Sequence, residues 1–205
     1  MRFPGIVRRT SPRDVFERIY EVDHWKGGSG VGSAPEATQR YREVLRRVLD
    51  ELHIRSVVDL GCGDWQCSGL VDWSGIDYVG VDVVPGVIRN NELAHGAGNI
   101  SFLCRDALRK TLPAAELLIA KDVLQHWRNR DIIRFLGGGL RRYRYALLTN
   151  DISSVHWQAA VNTDIETGAW RTLDLTQSPF NMRPLWSEDY PVADGDWVKR
   201  ISLIA

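Results

Sequence analysis

The chain has 205 residues, of which 44% are hydrophobic and 25% are charged, and its formal net charge is zero. This length and composition predict one globular domain with a sizeable core. The charge balance removes any global electrostatic drive toward nucleic acid or an anionic membrane surface. No segment resembles a signal peptide or reaches transmembrane length. Cys62, Cys67 and Cys104 have no zinc-site spacing, so we expect reduced thiols in a cytoplasmic protein.

Two helices and a glycine-rich segment are predicted before the first strand. Ser11 followed by Pro12 is a helix-start signal. A second helix is predicted from a capping box that begins at Ser33, and its apolar face continues to Leu52. Between the helices, residues 24–33 combine a tryptophan with closely spaced glycines. This segment is either a passive linker or a mobile lid, and its aromatic and polar content favours the lid.

Residues 57–65 predict a buried strand that breaks into a tight turn before a helix. Gly61 and Gly63 allow the backbone of this turn to approach a ligand closely, and the start of a helix offers free N–H groups to an anion. A dinucleotide-binding fingerprint would need a third glycine where Gln66 stands. Instead, Asp59 precedes the glycines in the pattern D-x-G-x-G. The turn therefore predicts a cradle for a different cofactor.

Three later strands are each followed by an acidic side chain. In a doubly wound sheet, a carboxylate that binds ribose hydroxyls belongs at the end of the second strand, where Asp82 stands. One such hydrogen bond to a charged acceptor contributes about 1.5–3 kcal/mol, which changes affinity by an order of magnitude or more. The strands and their acids are 77–83 with Asp82, 100–104 with Asp106, and 117–120 with Asp122.

The last part of the chain predicts a shortened helix, a loop and a closing hairpin. Residues 131–142 have a helical apolar face, but three glycines interrupt it, so we expect a short helix that kinks or ends there. A fifth strand is predicted at 143–149, followed by an ordered loop without helical period at 152–186. Tryptophans and polar residues in this loop indicate the wall of a site for a second substrate, which we call the acceptor wall. The chain then closes with an antiparallel hairpin of 188–192 and 197–204 around the turn 193–196.

Four motifs occur together in this sequence: a tryptophan with an S-G-x-G-S segment, D-L-G-C-G-D-W, K-D-V-L-Q-H-W and a late R-x-L-D-L. From about Val15 to about Phe180 the chain resembles a group of bacterial class I S-adenosylmethionine (SAM) methyltransferases. The resemblance implies a doubly wound, Rossmann-like α/β fold with a seven-stranded sheet and an N-terminal helical lid. We expect one domain over 1–205, with helices and lid in 1–53 and the SAM-binding core and acceptor wall in 54–205.

The same resemblance implies SAM as the cofactor, with S-adenosylhomocysteine (SAH) as its product. In this family the aspartate at the position of Asp106 faces the adenine amino group. The residues expected to bind SAM are Trp25, Ser29, Gly30, Ser33, Asp59, Gly61, Gly63, Asp64, Trp65, Asp82, Val83, Asp106, Ala107 and Lys121.

The candidate catalytic residues are His126 and Asp122. An imidazole titrates near neutral pH, which suits a base that takes a proton from the acceptor. Asp122 is expected to order the methionine end of the cofactor or its loop. A purely structural role for His126 and Trp127 is weighted equally. The candidate acceptor-binding residues are His126, Asn150, Asp164 and Arg171, with His24, His156 and Asp174 as further candidates.

We expect the acceptor to be a small molecule, namely a hydroxyl of a sugar-containing or natural-product metabolite. No nucleic-acid or membrane partner and no metal are expected, and the protein is expected to be a monomer or homodimer. Three alternatives stay open. One is a metal-dependent O-methyltransferase in which Asp122, Asn150 and Asp151 hold magnesium. The others are a protein or peptide N-methyltransferase and a SAM-binding regulatory protein without turnover.

Overall fold

The computed structural model describes residues 11–192 and 195–205. Within these ranges one sheet contains seven strands in the order β3-β2-β1-β4-β5-β7-β6. Strands β1 to β5 pair in parallel, and β7 is antiparallel to both of its neighbours. This confirms the doubly wound, seven-stranded sheet expected from the sequence. The strands are β1 Ser56–Leu60, β2 Asp77–Asp82, β3 Ile100–Cys104, β4 Leu117–Lys121, β5 Tyr145–Ser154, β6 Trp186–Val192 and β7 Trp197–Ile204.

The strand order reverses at β1, which pairs with β2 on one side and with β4 on the other. In open α/β sheets, ligands bind in the crevice outside the carboxyl ends of the strands at such a switch point. Gly61 and Asp122, in the turns that follow β1 and β4, and Asp82, the last residue of β2, lie at this edge. The topology therefore brings the residues singled out in the sequence to one end of the sheet.

Apolar residues cover both faces of the sheet because successive strand side chains point to opposite sides. Val57 belongs to the core cluster that contains the apolar face of α2 (Gln39–Glu51). The next residue, Val58, belongs to the opposite cluster, which includes Ile132 of α4 (Asn129–Arg134). The two remaining helices are α1 Pro12–Glu21 and α3 Pro85–His95.

The predicted start of α1 is confirmed. The Ser11 hydroxyl accepts a hydrogen bond from the backbone N–H of Asp14 at 3.2 Å, and the Asp14 carboxylate accepts one from the Ser11 N–H at 3.0 Å. These reciprocal bonds satisfy two N–H groups that the first helical turn leaves free. Val15 on α1 packs against Gly168, where an added Cβ would lie 2.4 Å from the valine Cγ1. The helix is thus seated on the loop before β6.

The predicted start of α2 was wrong. The helix begins at Gln39, and its N-terminal neighbour Thr38 makes no side-chain capping bond. The reason is that the hydroxyls of Ser33, the predicted cap, and of Thr38 make other bonds. Ser33 donates to the carbonyl of Ser29, and Thr38 donates to the carbonyl of Ala34. Hydroxyl groups that bond locally to backbone carbonyls compete with capping.

The helix predicted directly after the glycine turn was also wrong. Only a single turn of 3-10 helix, Ser68–Leu70, follows β1 before β2 begins. Trp65 has a φ of 65°, a left-handed conformation that a right-handed helix cannot contain. Its ring is buried against Tyr78 and Phe102, so side-chain packing holds the backbone in this conformation.

The interrupted helix and the final hairpin agree with expectation. Helix α4 ends at Arg134, and a short π-helical segment, Phe135–Gly139, follows it directly. Strand β5 is longer than predicted because it pairs with β7 as far as Ser154, with a bulge between Asp151 and Ser153. Residues 155–185 contain neither α-helix nor strand, as the lack of periodicity indicated. Part of the predicted turn 193–196 lies outside the described residues.

Candidate active site

A cavity of about 730 Å³ opens at the carboxyl ends of the parallel strands. Its walls come from α1, the lid segment (residues 24–33), the turns after β1 to β4, the 155–170 loop and β7. A concave site with mostly apolar walls and a few convergent polar groups is the usual form of a small-molecule site. The predicted site residues that line it are Trp25, Ser29, Gly30, Ser33, Gly61, Gly63, Asp82, Val83, Asp106, Ala107, Lys121, Asp122 and His126.

The turn after β1 depends on two glycines with left-handed backbone. Gly61 has a φ of 72° and Gly63 a φ of 54°. Residues that carry a Cβ rarely adopt such values. A Cβ on Gly61 would lie 2.3 Å from Val123 Cγ2, and one on Gly63 would lie 2.1 Å from Ser29 Oγ. The glycines therefore let this turn pack against both the β4 turn and the lid segment while it lines the cavity.

Asp82 stands at the end of β2 with its carboxylate beside the glycine turn. One oxygen accepts the Gly63 N–H at 3.2 Å, and the other accepts the Val84 N–H at 3.0 Å. Burial raises the pKa of Asp82, although these backbone donors counteract it. Because a carboxylate offers about four lone-pair positions, two bonds hold the group in place and leave acceptor capacity toward the cavity.

Asp59 and Trp65 do not line this cavity. The Asp59 carboxylate accepts hydrogen bonds from the hydroxyls of Ser68 at 2.6 Å and Tyr78 at 2.7 Å, beneath the glycine turn. Burial raises the pKa of Asp59 to about 6 despite these bonds. Trp65 is a core residue whose ring packs 5.4 Å from that of Phe102. Both residues shape the turn from below.

The lid segment is attached to the glycine turn through Ser29. The Ser29 N–H donates to the Asp64 carboxylate at 3.1 Å, and the Asp64 N–H donates to the Ser29 hydroxyl at 2.9 Å. The Tyr20 hydroxyl lies 2.9 Å from the same serine oxygen. Farther along, the Lys121 ammonium donates to the carbonyl of Gly32 at 2.7 Å. Asp64 therefore binds the lid segment through Ser29 and does not itself line the cavity.

A buried lysine joins β5 to the turn that follows β4. The Lys199 ammonium on β7 donates to Asp122 Oδ1 at 2.8 Å and to Asp151 Oδ1 at 2.7 Å. Lys121 contacts the second oxygen of Asp122 at 2.5 Å. Gln125 and Trp170 both donate to Asp151 Oδ2, at 2.9 and 3.0 Å. Two ammonium groups thus balance two carboxylates at the floor of the cavity.

The pKa values of this cluster follow from its pairing. Burial acts to raise the pKa of Asp122, but the charges of Lys121 and Lys199 outweigh it and hold the pKa at about 2. Burial likewise acts to lower the pKa of Lys199, and the carboxylates of Asp122 and Asp151 reverse this, so that its pKa is raised. The Asp122 carboxylate and the Lys199 ammonium are therefore charged at neutral pH.

His126 lies in the turn after β4 and is held by the 155–170 loop. Its Nδ1 is 2.9 Å from the carbonyl oxygen of Ala169, and its own carbonyl accepts the Gly168 N–H at 2.9 Å. A carbonyl can only accept, so Nδ1 carries the proton and Nε2 keeps the lone pair. Burial lowers the pKa of His126, with the Ala169 carbonyl opposing it. The ring of Trp25 packs 5.2 Å away. His126 is a neutral, oriented imidazole on the cavity wall.

Arg171, the first residue of the R-x-L-D-L element, lies behind this turn. It is fully buried and donates to the carbonyl of Gln125 at 2.8 Å and to the Asn129 side chain at 2.7 Å. Burial lowers its pKa to about 10. Its guanidinium satisfies the backbone carbonyl just before His126, so its contacts orient the candidate base and do not reach the cavity.

The other acceptor candidates divide between the cavity and the surrounding structure. His24 and His156 line the cavity. Asn150 is buried in β5. Asp164 accepts the backbone N–H of Asn129 at 2.7 Å. Asp174 is paired with Arg200 at 2.9 Å. Thus neither Asn150, Asp164 nor Asp174 contributes to the cavity walls in this arrangement.

Sequence reasoning missed Lys199, Gln125 and Trp197 as wall residues, whereas the tryptophans of residues 152–186 were expected to form an acceptor wall. Trp157, Trp170 and Trp197 line the cavity, together with Tyr20 and Phe16 of α1. A weak signal for Lys199 existed, because lysine occurs at only four positions in this arginine-rich chain and one of them lies inside an apolar strand. No local pattern connects that lysine with Asp151, since the pairing of β7 with β5 makes the contact.

Among the described residues, no α-helix has the length and apolar character needed to cross a membrane. Over the same residues, no group of three or more His, Cys, Asp and Glu side chains is arranged to hold a metal ion.

No protein-family model matches the chain, and no curated protein matches it significantly. Solved structures do. The N-methyltransferase NodS from Bradyrhizobium japonicum WM9, in complex with SAH, has a TM-score of 0.67 at 12% identity, over 95% of this chain and 97% of NodS. Magnesium protoporphyrin IX methyltransferase (ChlM) from Synechocystis PCC 6803, with bound SAM, has a TM-score of 0.62 at 12% identity, over 97% and 99%.

A third similar structure is the 1,6-didemethyltoxoflavin-N1-methyltransferase of Burkholderia thailandensis, with a TM-score of 0.62 at 14% identity over 98% of this chain and 92% of that enzyme. In all three cases the structural similarity extends over nearly the whole of this chain and of the other protein. The chain therefore has the class I, Rossmann-like methyltransferase fold.

Proposed function

We propose that the protein is a SAM-dependent methyltransferase that acts on a small molecule. The observation that carries the proposal is the pairing of Asp82 with the Gly61–Gly63 turn at the switch point of the sheet, on the wall of a large cavity. The similar structures that contain SAM or SAH support the same cofactor.

The residues around the turn fit the parts of SAM. Asp82 has free acceptor positions for the two ribose hydroxyls. Asp106 and Ala107, after β3, line the neighbouring wall, where the family resemblance assigns the adenine. Lys121, Ser29 and Trp25 bring the lid segment over the same space. Together these groups can bind the cofactor and exclude water from it.

When bound by the Gly61–Gly63 turn and Asp82, SAM would supply an activated methyl group for the acceptor and would leave as SAH. The chain must orient the acceptor and remove its proton. His126 suits this role because Nε2 carries a lone pair and the lowered pKa keeps the ring neutral. The Ala169 carbonyl fixes its tautomer, and Arg171 fixes the backbone before it.

We assign the acceptor atom as a hydroxyl of a sugar-containing or natural-product compound. A small-molecule acceptor is supported by the concave cavity, the aromatic and polar 155–170 loop and the zero net charge. An amine is the second candidate, because two of the similar structures are described as N-methyltransferases. His126 can accept a proton from either atom.

The metal-dependent alternative is disfavoured by Lys199. Its ammonium lies between Asp122 and Asp151, the two carboxylates that would have to bind magnesium. A divalent ion there would place two further positive charges next to a buried ammonium. Asn150, the third proposed ligand, does not line the cavity. We therefore propose a reaction in which the chain's own residues handle the proton.

Calorimetric titration with SAM and SAH tests the cofactor assignment. Asp82→Ala should weaken binding about 10-fold or more, because a charge-assisted hydrogen bond contributes about 1.5–3 kcal/mol. Asp77→Ala is the matched control, since this exposed aspartate begins the same strand away from the cavity. Absence of SAM and SAH binding to folded wild-type protein would refute the proposal. A screen of metabolite extracts with methyl-labelled SAM then identifies the acceptor, and label confined to protein or RNA would exclude a small molecule.

A further inference from the structure

Aromatic side chains form much of the cavity wall on the side of His126. Trp157 and Trp170 meet edge to face with ring centroids 5.6 Å apart, and the rings of His156 and Trp197 lie 4.8 Å apart. All four line the cavity. Faces and edges of such rings bind flat, apolar groups through offset stacking and edge-to-face contact. We call this set the aromatic wall.

The polar side chains beside the aromatic wall already bond to one another. Asp151 Oδ2 accepts from Gln125 and from the Trp170 indole, while Oδ1 accepts from Lys199. The side-chain oxygen of Gln125 in turn accepts the Asp151 N–H at 2.8 Å. Because these groups satisfy each other inside the protein, they offer little to a ligand with many hydroxyls of its own.

The charges on this side of the cavity also cancel. Lys121 and Lys199 neutralise Asp122 and Asp151 through direct contacts. On the same side, His126 keeps an oriented Nε2 lone pair for an acceptor, because its Nδ1 is bonded to the Ala169 carbonyl. The Trp157 indole N–H has no hydrogen-bond partner among the described residues, but it is fully buried within the protein.

We infer that the acceptor is a planar, uncharged aromatic compound that carries a hydroxyl group. The inference rests on the proposed function and narrows its acceptor class. The aromatic wall binds the rings, and His126 faces the hydroxyl. A sugar would bring several hydroxyls into a wall with few free partners, and each unpaired one would oppose binding.

The acidity of the acceptor agrees with this assignment. A phenolic hydroxyl has a pKa of about 10, whereas the alkyl hydroxyls of sugars are much weaker acids. Burial lowers the pKa of His126, and a base made weaker in this way accepts a proton more readily from the more acidic hydroxyl. The proton moves from the phenolic oxygen to His126 Nε2, from which solvent later removes it.

The test is calorimetric titration of the protein saturated with SAH, using 2-naphthol and 7-hydroxycoumarin as aromatic probes and methyl β-D-glucopyranoside as the sugar probe. We expect both aromatic probes to bind and the glucoside not to bind. The same titrations without SAH test the aromatic wall even where SAH fails to bind. Failure of SAH binding contradicts the proposed function, whereas binding of SAH without either aromatic probe overturns this inference alone.

Variants of Trp157 localise the binding. Trp157→Ala should lower the affinity for both aromatic probes about 5- to 10-fold, the effect of one lost aromatic contact. Its affinity for SAH should be unchanged. Trp157→Phe keeps a ring without the N–H and should fall between alanine and wild type. Trp186→Ala, a half-buried tryptophan on β6 outside the cavity, should bind the probes as wild type does. Undiminished probe binding by folded Trp157→Ala, or preference for the glucoside, would overturn the inference.

Discussion

The Lys199 ammonium lies 2.8 Å from the carboxylate of Asp122. The two residues are 77 positions apart in the sequence, and the pairing of β7 with β5 brings them together. Asp151 binds the same ammonium at 2.7 Å and stands directly opposite Lys199 in the strand register. One buried cation thereby ties β5 to the residue just after β4, where the turn that carries His126 begins.

Lys199→Met should lower the free energy of unfolding by about 3–5 kcal/mol at neutral pH, because two buried carboxylates lose their shared partner. Guanidinium titration measures this loss. Lys110→Met, at an exposed lysine, is the control and should change stability little. A loss as small as that of the control would mean that the cluster does not stabilise the fold.

The pH dependence of the same variant follows from the signs of the shifts. In the wild type, the pKa of Asp122 is lowered to about 2, so its stabilising contribution is complete above pH 4 and is lost as the pH falls from about 4 toward 2. Without the Lys199 ammonium, Asp122 keeps only Lys121 as a counter-charge, so burial should raise the pKa of Asp122 above its wild-type value of about 2. The stability deficit of the variant relative to wild type should therefore shrink as the pH falls from about 4 toward 2, where the wild type loses the contribution of Asp122. A stability deficit that stays constant over this range would contradict the pairing.

Metal chelation should leave methyl transfer unchanged. The position between Asp122 and Asp151 is already taken by an ammonium, so turnover should be the same with EDTA and with added magnesium. The measurement is the rate of SAH formation once an acceptor has been found. Activity that is abolished by EDTA and restored by magnesium would establish the metal-dependent route.

His126→Ala should reduce turnover about 10²- to 10⁴-fold, the usual effect of removing a general base. Affinity for SAH should be unchanged, because Asp82 is held by the backbone of Gly63, whereas the hydrogen bond of the His126 ring goes to Ala169. His95→Ala, an exposed histidine outside the cavity, is the control. Full activity in His126→Ala would mean that transfer proceeds by positioning of the acceptor alone.

The pH profile gives an independent reading of His126. Its pKa is lowered below 6.5 by burial, against the opposing Ala169 carbonyl. The reactive neutral form should therefore dominate already at pH 6.5, and kcat/KM should rise with pH only below that value. The unfolded chain binds this proton more readily, so His126 also makes the fold less stable as the pH falls below 6.5. An acid limb centred above pH 6.5 would contradict the burial argument.

Sequence patterns predicted the parts of the site that depend on strand ends. Asp82, the Gly61–Gly63 turn and Ser29 stand where periodicity and motif spacing placed them near the cavity, because parallel strands deliver their carboxyl ends to one edge. Trp65 was not predictable in this way. Its motif position suggests the cofactor, but its left-handed backbone turns the ring into the core.

The rest of the site depends on contacts between distant segments. Arg171 supports the turn before His126 across 46 positions, and Trp170 reaches Asp151 from a loop that has no periodic pattern. Lys199 requires the register of an antiparallel pair that the sequence does not specify. Such contacts arise from the three-dimensional path of the 155–170 loop and of β7. The sequence indicated an acceptor wall in residues 152–186, but the partners of its side chains could only be found in the structure.

The last prediction concerns the lid segment, residues 24–33. Ser29 exchanges two hydrogen bonds with Asp64, and Lys121 binds the Gly32 carbonyl. These contacts are few and lie partly at the surface, so local opening should cost little free energy without ligand. Bound SAH would lie between this segment and the glycine turn and should stabilise the closed form.

Hydrogen exchange in residues 24–33 should slow when SAH is added, and about 1.4 kcal/mol of added stability corresponds to about tenfold slower exchange. Helix α2 is the internal control, since its buried face already packs in the core. Ser29→Ala removes the hydroxyl that binds Asp64 and Tyr20, so it should speed exchange without ligand and reduce the protection that SAH gives. Exchange that is unchanged by SAH in wild type, at concentrations where calorimetry shows binding, would make this segment a passive linker.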